Sequence, residues 1–290
     1  MNIWWLGTVA PALEAYGLCH SVYWTVNDLC DLVGVPLEGT TYRAVGVNHQ
    51  SWLVQWERDG QSLYPRLREA IAADPELSRR VRVEMFTRLG YYPTETSEHS
   101  SEYLSWFLRS DEQIERFRLR PSEYLGISEQ NVAEFELART TLESGGDLEL
   151  HEEGDAAEYA PQVIHSILTG TPREIHVNVI NHGLIDNLAQ GAAVEVPASV
   201  DASGVKPIAM GAAPLAGAAL NRTYLSVAEL TVEAARTGDR DLVKQAMLVD
   251  PNASSTLTPD RLWDLADAMF DAHEAVLPHT LGGRAELWLP

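Results

Sequence analysis

Basic residues are scarce in this chain: 21 Lys and Arg stand against 42 Asp and Glu, a formal net charge of −21. Such a surface repels phosphate backbones and anionic bilayers, which excludes nucleic acid and membrane as expected partners. Cysteine is nearly absent. Cys19 and Cys30 are too few for a disulfide framework, which fits a reducing compartment, and a cytoplasmic protein is expected. No apolar run approaches the roughly 20 residues needed to span a bilayer, and no basic segment precedes the apolar N-terminal run as in a signal peptide. Internal repeats and low-complexity tracts are missing too. So is a Gly-x-Gly-x-x-Gly after a strand: the nearest glycine cluster, Gly211 to Gly217, opens onto a helix without that spacing.

What is present is a core. Hydrophobic residues make up 45% of the 290 positions, with eight tryptophans, enough for one large or two ordinary domains. Met1 to Ala15 read as a helix that places Ile3, Trp4, Trp5, Leu6 and Val9 together, an apolar surface that seeks a cover. Self-association into a homo-oligomer is expected from it. Gly17 to Ser21 read as a short buried strand. Val22, Val26, Leu29 and Val33 recur at helical spacing, and Gly34 and Pro36 stop that helix.

Strands are expected over Thr41 to Asn48 and Trp52 to Glu57, with Asp59-Gly60 as a hairpin turn and a return near Ser62 to Tyr64. Pro65 to Leu89 is mainly helical, its Arg79, Arg80, Arg82 and Arg88 forming a solvated face. Tyr92-Pro93 breaks that helix, and Thr96 or Ser97 caps the next. Glu112 to Leu142 is helical with a break at Pro121, and a polar loop with a solvent-exposed His151 follows. Ala156 to Leu168 is helical. Ile175, Val177 and Val179 alternate as in a half-buried strand. Leu184 to Leu188 and Ala192 to Val200 follow, the second interrupted by Pro197. Helices over Leu215 to Arg236, Arg240 to Leu248 and Pro259 to His273 complete an α+β chain.

Two short polar stretches carry the chemistry. Leu18-Cys19-His20-Ser21 and Gly46-Val47-Asn48-His49-Gln50-Ser51 each set a soft metal-ligand type beside a second polar group at a strand end. A thiolate and an imidazole brought together by the fold could hold a divalent ion and leave positions open for substrate. The plain alternative is a buried free cysteine and a satisfied core histidine. Further on, His99 and Tyr103 fall four apart on one helical face, with Glu102 beside them. Together, Cys19, Asn48, His49, His99 and Tyr103 make a residue set for a metal site with a nearby base.

Segments in the same order across nearly the whole chain carry a resemblance. They are GLCHSV at 17–22, GVNHQSW at 46–52, GYYPTETSEHSSEYLSWF at 90–107, NHGLIDNLAQGAAVEVP at 181–197, ALNRTYLSVAELTVEAARTGDR at 219–240, DRDLVKQAMLVDP at 239–251 and AHEAVLP at 272–278. With them the chain resembles the NAD- and manganese-dependent glycoside hydrolases of family 4, in particular their alpha-galactosidase (melibiase) branch. Ala189 departs from the family's usual proline, and Ala213 from its leucine. The larger departure is at the front. The family is similar to lactate and malate dehydrogenases, whose N-terminal Rossmann domain supplies the dinucleotide loop, and Met1-Asn2 correspond to the tail of that family's Asn-Pro segment.

The resemblance implies the C-terminal substrate and metal domain of that fold, a mixed sheet packed with helices, over residues 21–290, with residues 1–20 as the end of the nucleotide-binding domain. It implies a small-molecule glycoside as substrate and NAD and Mn²⁺ as cofactors. In such enzymes the sugar is oxidised at its third carbon, a base removes the proton at the second, the glycosidic oxygen leaves, water adds and the hydride returns. This chemistry stands outside the two-carboxylate glycosidases. Carried over by position, Cys19 and His49 are the metal ligands, and Tyr103 is the base, which needs a lowered pKa. His20 assists the leaving group. Asn48 hydrogen-bonds the sugar, while His99 and Glu98 either contact it or are structural. Without a dinucleotide loop the chain is expected to be inactive alone. The other readings are a non-catalytic remnant, and a sugar- or metal-binding subunit that partners a separate nucleotide-binding chain.

Overall fold

The structure is a computed structural model that describes residues 17–18, 21–148 and 159–283. Cys19, His20, His151 and the helix expected over Met1 to Ala15 lie outside the described residues. The fold is α+β, built on an eight-stranded sheet in the order β1 (Gly17–Leu18), β6 (Arg173–Ile180), β7 (Ala193–Asp201), β2 (Thr40–Val47), β3 (Gln50–Arg58), β4 (Gln61–Ser62). Two short strands pair off this path, β5 (Tyr92–Pro93) on β3 and β8 (Gly204–Pro207) on β7. The ladders between these strands are antiparallel, and one isolated parallel bridge joins Ile185 to Gly211.

One core lies between the β2–β3 hairpin and the helices α1 (Ser21–Leu32), α2 (Tyr64–Ala73) and α3 (Val81–Leu89). The helical spacing read from the sequence puts Val22, Val26 and Leu29 inward, against Leu53, Trp56, Leu67 and Phe86. Each aliphatic or phenyl side chain buried this way contributes about 1.5–3 kcal/mol. After α4 (Ser97–Glu102) and α5 (Asp111–Phe117) comes α6 (Glu123–Glu143), which buries none of its residues. A second core joins β6 and β7 to α7 (Tyr159–Thr169) and the first turn of α8 (Leu215–Thr237), through Tyr159, Val177, Val194, Val196 and Ala218. Helices α9 (Arg240–Val249), α10 (Ala253–Thr256) and α11 (Pro259–Ala272) follow. No helix among the described residues is long and apolar enough to cross a membrane.

Three local expectations change. Arg82 is not part of a solvated face: its guanidinium donates to Thr25 Oγ1 at 3.0 Å, lies 5.5 Å from the Tyr92 ring centre and pairs with Asp28. β6 is buried on both faces from Ile175 to Val179, because the face that carries His176 and Asn178 also lies inside the protein. There the Ala44 N–H donates to His176 Nε2 at 3.0 Å, and burial pushes the His176 pKa down to about 4. Pro197 does not interrupt β7. Its ring stands opposite His176 in the β6 ladder, and its carbonyl accepts from Ile208 N–H, so the missing donor is tolerated.

The seat of α8 on the sheet positions the site described below. Trp52 Nε1 donates to Asn221 Oδ1 at 3.1 Å, and Asn221 Nδ2 donates to the Gln50 carbonyl at 2.6 Å. Gly217 allows that approach: a Cβ there would lie 2.5 Å from Trp52 Nε1. Trp52 is fully buried and has no room to retreat. Gly217→Ala is therefore expected to destabilise the fold by about 1–3 kcal/mol through overpacking. A urea titration that returns the wild-type midpoint would contradict this close seat.

Candidate functional site

The site is built on the turn between β2 and β3. Val47 pairs with Gln50, so Asn48 and His49 alone make the connection. His49 has a φ of 64°, in the left-handed region where glycine is usual. A side chain held there costs on the order of 1–2 kcal/mol, and such strain concentrates at functional sites. The turn is tight from below as well. A Cβ on Gly46 would stand 2.5 Å from the Gln50 carbonyl oxygen and 2.7 Å from Ser51 Cα.

β5 brings in the next residue. Trp52 pairs with Pro93 and Leu53 with Tyr92, and Thr94 N–H donates to the Ser51 carbonyl at 3.1 Å. The chain thus runs back along β3 toward its first residue and sets Glu95 beside His49. Glu95 Oε2 lies 2.5 Å from His49 Nδ1, and Oε1 accepts the Thr96 N–H at 2.9 Å. Burial opposes the charge on Glu95, but the hydrogen bonds from His49 and Thr96 outweigh it and hold the carboxyl below its ordinary range.

Thr96 then caps α4 as expected, its hydroxyl accepting the His99 N–H at 3.2 Å. From this helix the His99 ring meets the His49 ring edge-on at 5.6 Å, and His99 Nδ1 lies 2.8 Å from Glu102 Oε2. Tyr103, just past the last helical residue, stacks over His49 at 6.2 Å. Tyr224 of α8 closes on the edge of Tyr103 at 5.2 Å, one turn beyond the Asn221 anchor. Burial pushes the Tyr103 hydroxyl well above its ordinary pKa, and Tyr224, Glu102 and Glu95 push the same way. The expectation of a lowered tyrosine pKa finds no positive neighbour among these groups. On the other side of the turn, Asn178 Nδ2 donates to Asn48 Oδ1 at 3.4 Å.

Three of the residues singled out in the sequence therefore converge, His49, His99 and Tyr103, while Asn48 pairs with Asn178 on the other side of the turn. Cys19 and His20 lie outside the described residues, so their approach to His49 is not part of the description. β1, which ends at Leu18, pairs with Val177 and with Asn178, the residue bonded to Asn48. The sequence reading missed Glu95, Asn178 and Tyr224. All three stand within or beside matched segments, but what joins Glu95 to His49 is a two-residue strand, too short for any periodicity to reveal. Among the described residues no three His, Cys, Asp or Glu side chains come together as a ligand set. What the arrangement offers is one imidazole held by a buried carboxylate, with a tyrosine against its face.

The chain belongs to family 4 of the glycosyl hydrolases: its residues 44–253 match the Family 4 glycosyl hydrolase C-terminal domain. The family and the fold expected from the matched segments are borne out. The chain is 33% identical over 270 residues to the alpha-galactosidase of Bacillus subtilis (strain 168), covering 92% of this chain and 62% of that protein. It is 32% identical over 286 residues to the alpha-galactosidase of Rhizobium meliloti (strain 1021), covering 94% and 58%. In fold it is similar to the crystal structure of a 6-phospho-alpha-glucosidase from gut microorganisms in complex with NAD and Mn²⁺, with a TM-score of 0.74 at 19% identity, over 94% of this chain and 64% of that one. The chain thus spans less than two thirds of the length of each.

Proposed function

We propose that residues 21–290 form the substrate- and metal-binding domain of an alpha-galactosidase, with residues 1–20 as the end of a nucleotide-binding domain. The observation that carries this is the carboxylate-held His49 with Tyr103 stacked over it, in a chain whose full-length relatives include alpha-galactosidases. The donor set fits a divalent ion that keeps few protein ligands. With Nδ1 engaged by Glu95, His49 keeps Nε2 for a cation, and Cys19 is the proposed second ligand. A manganese ion bound there would polarise the sugar's hydroxyls and stabilise negative charge on the adjoining carbon.

The chain's own residues then divide the work. Tyr103 takes the proton from the sugar's second carbon, for which a cation held at His49 would have to offset the burial that raises its pKa. His20 assists departure of the glycosidic oxygen, and Asn48 and His99 hydrogen-bond the ring. NAD does not fit these residues. The sequence has no glycine-rich loop to cradle its pyrophosphate, and no step in this chain is assigned to it. That absence equally supports the second reading, a sugar- and metal-binding subunit served by a separate nucleotide-binding chain. A reducing, cytoplasmic setting would keep the Cys19 thiol free, and the apolar Trp4, Trp5 and Leu6 favour self-association.

Mn²⁺ titrated calorimetrically into residues 1–290 tests the metal assignment. Binding should be lost in His49→Ala and in Cys19→Ser. Wild-type affinity in either variant removes that residue from the site. The substrate assignment is tested in the complete enzyme with aryl alpha-galactoside against aryl 6-phospho-alpha-glucoside, where a preference for the phosphorylated sugar would overturn it.

A further inference from the structure

A carboxylate beside a metal site either ligates the ion or holds a ligand in place, and the partners of its two oxygens distinguish the cases. Both oxygens of Glu95 are engaged within the protein, Oε2 with His49 Nδ1 and Oε1 with Thr96 N–H. Each oxygen thus already serves a protein donor, which favours the holding role. The Glu95 side chain is only 8% exposed, whereas that of His49 is 37% exposed, so the carboxylate sits on the protein side of the imidazole.

Glu95 is itself firmly anchored. The residue before it is pinned from two directions: Thr94 N–H donates to the Ser51 carbonyl at 3.1 Å, and Thr25 Oγ1 donates to the Thr94 carbonyl at 2.9 Å. His49, by contrast, stands on a two-residue turn in left-handed backbone, which does little to fix the direction of its ring. The neighbouring pair of His99 and Glu102 differs in kind. Its carboxylate is 50% exposed and its partners are three apart on one short helix, an arrangement that water screens.

A charged carboxylate only accepts hydrogen bonds, so the proton between the two residues belongs to His49 Nδ1, and in the neutral imidazole the lone pair is then on Nε2. We propose that Glu95 is a positioning residue, which through Oε2 fixes His49 in the Nδ1–H tautomer and aims Nε2 at a divalent cation. This rests on the reading of His49 as a metal ligand.

Two measurements test it separately. Long-range ¹⁵N–¹H spectra of the metal-free chain, labelled at histidine, read the His49 tautomer directly. Wild type should show Nδ1–H alone, and Glu95→Leu a mixture of tautomers. Mn²⁺ titrations should then show affinity about 10- to 100-fold weaker in Glu95→Leu. In Glu95→Gln, whose amide oxygen can accept the same proton, part of that loss should be recovered. His49→Ala is the reference. If it binds Mn²⁺ like wild type, the ligand reading fails, while the tautomer spectrum still decides whether Glu95 holds the ring. If His49→Ala loses binding but Glu95→Gln and Glu95→Leu keep wild-type affinity, the positioning role is overturned. An Nε2–H tautomer in the wild-type spectrum overturns it without any variant, so a Glu95→Leu chain that failed to fold would not protect the idea.

Discussion

Tyr103→Phe in the complete enzyme is expected to lower turnover of an aryl alpha-galactoside by about 10²- to 10⁴-fold, the range that one positioned acid–base group supplies. Its melting temperature should stay at the wild-type value. The two halves of this expectation come from different parts of the side chain. The ring does the packing: it stacks over His49 and receives the edge of Tyr224, and phenylalanine keeps both contacts. The hydroxyl is the group proposed to take the proton from the sugar's second carbon, and it is the only group removed. Loss of solvent-deuterium incorporation at that carbon should accompany the loss of turnover. A phenylalanine variant that still exchanges this hydrogen assigns the base to another residue. A variant that loses activity together with several degrees of melting temperature makes Tyr103 a packing residue.

Part of this arrangement is legible in the sequence. Asn48 and His49 stand out because a polar pair ends an apolar strand, and Thr96 because a hydroxyl after Tyr-Pro is a cap in waiting. Long elements with clear periodicity, such as α1 and α8, appear within a residue or so of their expected bounds. What stayed hidden depends on pairing between distant segments. Glu95 reads as one more acid in a polar helix start, and only the Trp52–Pro93 and Leu53–Tyr92 pairs turn it toward His49. Arg82 reads as surface because arginine usually is, and the Tyr92 ring and Thr25 that receive it come from other elements. The second buried face of β6 is carried by His176 and Asn178, polar residues that alternation assigns to solvent. Each makes one hydrogen bond to a residue more than a hundred positions away, Ala44 and Asn48. Periodicity reports which face is apolar; it carries no information on which polar groups will be satisfied inside.

Residues 1–290 by themselves, given NAD⁺, Mn²⁺ and reductant, are expected to show no hydrolysis of an aryl alpha-galactoside. The chemistry that the family resemblance implies begins with removal of hydride from the sugar, so a metal site without a bound dinucleotide has nothing to start from. Binding a dinucleotide normally takes a glycine-rich turn at a helix N-terminus, where backbone N–H groups meet the pyrophosphate. This sequence has no such turn after a strand, and its net charge of −21 repels a doubly charged pyrophosphate. Inactivity alone would be ambiguous, since a misfolded chain is inactive too. The Mn²⁺ titration resolves this. Binding that depends on His49 reports a folded site, and binding without turnover is the signature of a domain that lacks its hydride acceptor. Adding the N-terminal half of an alpha-galactosidase relative as a separate chain should then restore NAD-dependent hydrolysis, with a rate that rises with its concentration until the two chains are matched. Robust NAD-dependent turnover by residues 1–290 alone would mean that the dinucleotide is held here by a route other than a glycine-rich loop, and the division of labour proposed for the two halves would fall.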